Sequence, residues 1–88
     1  MNFLKFPLHH QPSGAVVEIV LRGVESDVFL VDDLNLHQFE RGGQFSYVGG
    51  HYKSSPVRLR VPSSGGWTAL VIPSGGSVQA SVRVIAAA

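Results

Sequence analysis

Read two residues at a time, the stretch AVVEIVLR divides into two sets. Ala15, Val17, Ile19 and Leu21 fall on one side, and Val16, Glu18, Val20 and Arg22 on the other. An extended strand sends successive side chains to opposite faces, so this period of two predicts a strand with the first set inward and the second on a mixed outer face. PVRLRVP repeats the pattern: Val57, Leu59 and Val61 alternate with Arg58 and Arg60, between Pro56 and Pro62. Proline has no N–H to give to a ladder, so it belongs at strand ends. In SVQASVRVI, Val78, Ala80, Val82 and Val84 oppose Gln79, Ser81 and Arg83. No long stretch has helical spacing, and this constrains the fold more than any other feature.

Other runs are apolar on both sides. VFLV (residues 28–31) and WTALVI (67–72) predict central strands covered on both faces. NFLKFPL contains Pro7 and predicts an edge or end strand. Between the runs stand QPSG, RGVES, ERGG, VGGH, PSSGG and PSGGS, turn signals recurring every ten or so residues. In DDLNLHQFE, Asp32 or Asp33 is positioned to cap at most one helical turn near 33–39, with Leu36 and Phe39 on its inner side. IAAA reads as a frayed tail. The expectation is one all-β domain over 1–88, an antiparallel β-sandwich of jelly-roll type with about seven or eight short strands.

Composition narrows what such a domain does. Eighty-eight residues allow one domain, burying roughly 60–65% of the unfolded chain's surface, too little for a spacious internal chamber. With 44% hydrophobic and 15% charged residues the chain is not a disordered one. The formal net charge of +1 sets up no strong phosphate footprint, which argues against nucleic acid as the partner. The absence of cysteine removes disulfides, thiolate metal sites and a cysteine nucleophile, and fits a cytoplasmic location. MNFLKFPLHH is broken by Lys5 and Pro7 and does not read as a signal peptide. No window nears the roughly 18 apolar residues of a membrane helix, so no membrane partner is expected.

Catalytic spacing is missing. His9 and His10, as strand neighbours, point apart; His37 and His51 stand alone; no metal site or cofactor is expected. Asp32, Asp33 and Asn35 resemble a fragment of a calcium loop, but the later ligands do not follow, and capping of a turn explains them. The serines sit in Gly/Pro turns, with no nucleophile elbow and no phosphate loop. We therefore expect no catalytic residues and no enzyme.

Taken in order, GAVVEIVLRG, DVFLVDDLN, FERGGQFSYVGGHYKSSPVRLRVPSSGGWTALVI and SVQASVRVI resemble a bacterial family, domain of unknown function 1883. The likeness runs from about Phe3 to Ile85. It departs at VIPSGGSV, where Pro73 stands in place of the family's acidic residue and glycines. The resemblance implies a jelly-roll β-sandwich and implies no activity.

The functional expectation is a non-enzymatic interaction module that binds a protein or small ligand. Its rim is Gly49–Ser54, presenting His51, Tyr52 and Lys53, with Arg58 and Arg60 nearby. Gly49 and Gly50 are read as an architectural corner after a strand. Three alternatives stand beside this. One is a carbohydrate- or metal-dependent jelly roll using Tyr47, Tyr52 and Trp67, although Trp67 reads first as a core anchor. Another is single-stranded nucleic-acid binding through the basic face of Arg58, Arg60 and Arg83. The last is a homodimer through the N-terminal strand, with Phe3 or Phe6 exposed.

Overall fold

The computed structural model describes residues 2–86. Among these, seven strands form two antiparallel sheets. They are β1 (Leu4–Gln11), β2 (Val16–Gly23), β3 (Ser26–Asp32), β4 (Val48–Tyr52), β5 (Val57–Arg60), β6 (Gly65–Pro73) and β7 (Val78–Ile85). One helix, α1 (Asp33–Glu40), follows β3. The four-stranded sheet runs β1-β6-β3-β4 and the three-stranded sheet β5-β2-β7. Every connection crosses between the sheets except β3 to β4, which carries α1. Among the described residues no helix is long and apolar enough to cross a membrane.

The alternation sets what lies between the sheets. Ala15, Val17 and Ile19 from around β2, with Val57, Leu59 and Val61 from around β5, meet Val28, Leu30, Trp67, Ala69 and Val71 from the other sheet. These side chains form the main core, and Trp67 anchors it. The continuous apolar runs have a different use. Val28 and Leu30 face the main core, whereas Phe29 and Val31 face away and join Leu70 in a second, smaller cluster. Leu36 and Phe39 of α1, with Phe3, Phe45 and Ile72, cover that cluster. Phe39 meets Phe3 and Phe45 edge-on, at ring-centre separations of 5.1 and 5.2 Å.

Four expectations need correction. The helix is just over two turns long, not one. Asp32 caps it by accepting from Asn35 N–H at 2.8 Å, and the whole of DLNLHQFE then finds a platform in the second cluster. Gly49 and Gly50 lie inside β4 and make no corner. Gly49 has φ +132°, and a Cβ there would overlap the carbonyl of Val28 on the paired strand, so the glycine permits close pairing. Phe3 and Phe6 are half-buried, Phe3 against Phe39 and Phe6 against the main core, so no exposed aromatic marks the N-terminal edge. Val84, near the end of β7, is exposed and does not join Val78, Ala80 and Val82 against the main core. Ala87 and Ala88 of the expected frayed tail lie outside the described residues.

Candidate functional site

Among the described residues, nothing packs on the outer face of β5-β2-β7 in the way that α1 packs on the other sheet. Its rows follow from the strand register. Val16 lies between Arg60 and Ile85, and Glu18 between Arg58 and Arg83. Val20 pairs with Ser81, and Arg22 with Gln79. Arg22, Arg58, Arg60 and Arg83 thus bring four of the chain's seven Lys and Arg to one face, against a single carboxylate, Glu18, of its six. The remaining acids lie elsewhere: Glu25 and Asp27 beside β4, Asp32 and Asp33 at the start of α1, and Glu40 at its end.

Glu18 lies on the mixed outer face that the alternation predicts, yet it is buried there. The arginines on both neighbouring strands lie over it. Arg83 Nε donates to Oε1 at 2.7 Å, and Arg58 Nε donates to Oε2 at 3.0 Å, with Arg58 Nη2 also 3.0 Å from that oxygen. Each carboxylate oxygen therefore has a charged donor, as a buried acid requires. The Arg83 hydrogen bond is the main reason the Glu18 carboxyl is held below its ordinary pKa, with Arg58 adding to it against the opposing effect of desolvation. The guanidinium edges that do not face Glu18 remain in solvent, for both arginine side chains are mostly exposed. Arg60 donates to the carbonyl of Gly14 at 3.0 Å. Arg22 forms no ion pair among the described residues. Between the Arg83 and Arg22 rows, two shallow depressions open over Val20 and Ser81. Their rims carry Arg83 and Glu18 on one side and Arg22 and Gln79 on the other.

The expected rim residues do not gather. His51 sits on the outward side of β4, between two acids: Nδ1 is 2.8 Å from Asp27 Oδ1 and Nε2 is 3.3 Å from Glu25 Oε1. Both ring nitrogens are occupied, and the hydrogen bond to Asp27, then that to Glu25, raises the imidazole pKa above its ordinary value. Because the acids hold opposite sides of the ring, they do not converge on one point. Among the described residues no group of three His, Asp or Glu side chains is arranged to hold a metal ion. Tyr52, one residue on, turns inward against the main core. Lys53 is exposed in the connection to β5. Arg58 and Arg60 belong to the other sheet. Reading along the sequence missed Glu18, Arg22 and Asp27 as participants. A neutral-looking alternation such as VEIVLR shows which face a residue takes, but not which strands will flank it.

One end of the sandwich holds a small hollow bounded by Asp32, Asn35, Tyr47, Ser63 and Trp67. Its polar groups are largely committed to the fold. Asp32 Oδ1 accepts from both nitrogens of Asn35, Asn35 Oδ1 accepts from Ser46 N–H at 2.8 Å, and Trp67 Nε1–H donates to Ser63 O at 2.8 Å. Tyr47 is exposed, yet one of its faces is stacked on Phe29 with ring centres 4.0 Å apart.

A family model described as domain of unknown function (DUF1883) matches residues 1–88. The chain belongs to the DUF1883 family. For this DUF1883 chain, comparisons with curated proteins and with solved structures gave no match.

Proposed function

We propose that this DUF1883 chain is a non-catalytic binding module that docks an acidic protein surface on the arginine face of β5-β2-β7. One observation carries the reading: four arginines stand on an uncovered sheet face with one carboxylate, while the other acids lie elsewhere. Arginine presents a planar fork that matches carboxylates and is weakly hydrated, so it suits contacts that must lose water. The pairing of Glu18 with Arg58 and Arg83 displays the geometry that an incoming carboxylate would extend. Val16, Val20 and Ile85 lie among the arginines and offer apolar contact beside the charge.

An acidic protein is favoured over single-stranded nucleic acid because the aromatic rings needed to stack bases are not on this face: Trp67 and Tyr52 serve the main core, and Tyr47 covers Phe29. The same placement of the rings gives no flat platform for a sugar. His51, whose ring nitrogens are both engaged, drops out of the contact set, whereas Arg58 and Arg60 stay in it.

The test is binding of labelled poly-glutamate, with a single-stranded oligonucleotide of similar charge as comparison. The protein is expected to bind poly-glutamate better, and Arg22→Ala with Arg60→Ala to weaken that binding at least tenfold. Equal binding by the double variant, or preference for the oligonucleotide, would remove the reading.

A further inference from the structure

A sandwich with two open sheets has four edge strands, and here they are β1, β4, β5 and β7. Edges present unpaired N–H and C=O groups, and proteins usually blunt them with proline, lysine, bulges or short length. Three of the four are blunted. β1 carries Lys5 and Pro7, its register with β6 slips between Pro7 and His9, and His9 takes a φ of 60°. β4 has five residues, two of them glycine, with Gly49 at φ +132°. β5 has four residues, preceded by Pro56 and followed closely by Pro62.

β7 has none of these devices. It runs eight residues, contains no proline, glycine or lysine, and pairs with β2 without a slip from Val78 to Ile85. Among the described residues its backbone bonds to no other segment. Its single charge, Arg83, is drawn across the sheet face to Glu18 at 2.7 Å and does not guard the edge. Val84 and Ile85, at its end, are two of the four large hydrophobic residues that stand exposed among the described residues.

We propose that β7 is an open docking edge, and that an extended acidic segment of another protein adds there as a fourth strand beside β7. This rests on the acid-binding reading of the arginine face and specifies how the acid arrives. Strand addition takes affinity from main-chain hydrogen bonds and specificity from alternate side chains. Next to β7, one set of the added residues lies beside Gln79, Ser81 and Arg83 on the arginine face, where a carboxylate meets Arg83 directly or diagonally within roughly 5–8 Å. The other set lies beside Ala80, Val82 and Val84 and is apolar. The segment therefore alternates acidic and apolar residues over at least six positions. A second copy of this chain fits less well, because its β7 would bring another arginine face alongside the first and add like charge to like charge.

The probe is a capped, fluorescein-labelled nine-residue peptide alternating valine and glutamate, with a valine–lysine peptide as control. Two further peptides carry N-methyl groups at alternate residues, one in each phase, which removes N–H donors from one edge while leaving every side chain. The expected result has three parts. The glutamate peptide binds and the lysine peptide does not. One N-methyl phase loses at least tenfold in affinity while the other keeps it. Backbone amides of β7 gain protection from hydrogen exchange on binding, and those of β1, β4 and β5 do not. Equal behaviour of the two N-methyl phases, or binding without protection of β7, overturns strand addition and leaves acid binding by the face intact. So does a peptide that fails where poly-glutamate binds. Failure of both ligands removes both readings. Concentration-dependent protection of β7 without peptide, together with a dimer in sedimentation, makes a second copy the occupant and overturns the acidic segment.

Discussion

His51 shows how a side chain that reads as part of a binding rim in a sequence becomes something else once its neighbours are placed. Asp27 and Glu25 hold opposite sides of its ring and raise its pKa above the ordinary 6.5. A folded-state value above the unfolded one means that the charged clasp stabilises the fold fully below pH ~6.5 and loses that contribution as pH rises through the raised value. Stability compared with a His51→Gln variant is therefore expected to fall as pH rises from about 6.5 through the raised value. Urea midpoints for both proteins across that range check this, and parallel curves for the two would contradict it. Asp32 makes a simpler case. Its carboxylate caps α1 through Asn35 N–H, so Asp32→Ala is expected to cost about 1 kcal/mol in chemical denaturation. Asp32→Ser should recover most of it, because a serine hydroxyl accepts the same bond.

Elements were more legible than their partners. The alternation in AVVEIVLR, PVRLRVP and SVQASVRVI marks β2, β5 and β7, and the continuous VFLV and WTALVI mark the two strands with apolar cover on both sides. Helix α1 was half visible: the Asp32 cap and the Leu36–Phe39 pair could be read locally, but its second turn depends on a platform made by Phe29, Val31 and Leu70, which are distant or on another strand. The candidate site was less visible still. That Arg58 and Arg60 face outward follows from their own strand, whereas the meeting of Arg58, Glu18 and Arg83 depends on register between segments separated by 40 and 65 residues. This cluster makes its own prediction. Glu18→Gln leaves the face without its carboxylate and frees Arg58 and Arg83, so poly-glutamate should bind about two- to fivefold more tightly, the scale of an exposed ion pair. The same change should flatten the loss of stability that sets in as the wild type is acidified below pH 4.5, since a carboxylate with a lowered pKa stabilises above its unfolded value and stops doing so as pH falls through the folded one. Fluorescence anisotropy and acid titration read the two effects separately, and weaker binding by Glu18→Gln would contradict the arginine-face account.

At the scale of the whole molecule, the two sheets depend unequally on the chain's last strand. The four-stranded sheet has β6 and β3 at its centre and apolar cover on both faces, while the other sheet has only β2 between its two edges. β5 pairs with β2 over four residues, from Val16↔Arg60 to Ile19↔Val57, whereas β7 pairs with all eight. Val78, Ala80 and Val82 of β7 also pack against the main core. Removing β7 by ending the chain at Ser77 would leave all of β2 unpaired on one side and open the core over Val17 and Ile19. A domain of this size has roughly 4–13 kcal/mol of stability to lose. Partly uncovering several side chains worth about 1.5–3 kcal/mol each when fully buried, together with an eight-residue ladder, consumes most of that range. The truncated chain is accordingly expected to show no cooperative thermal transition in the near-ultraviolet signal of Trp67, which lies in the same core. A sharp transition within a few degrees of the full chain would mean that β7 is an appendage rather than a structural strand. In that event its open edge would no longer be held in the extended form that strand addition requires.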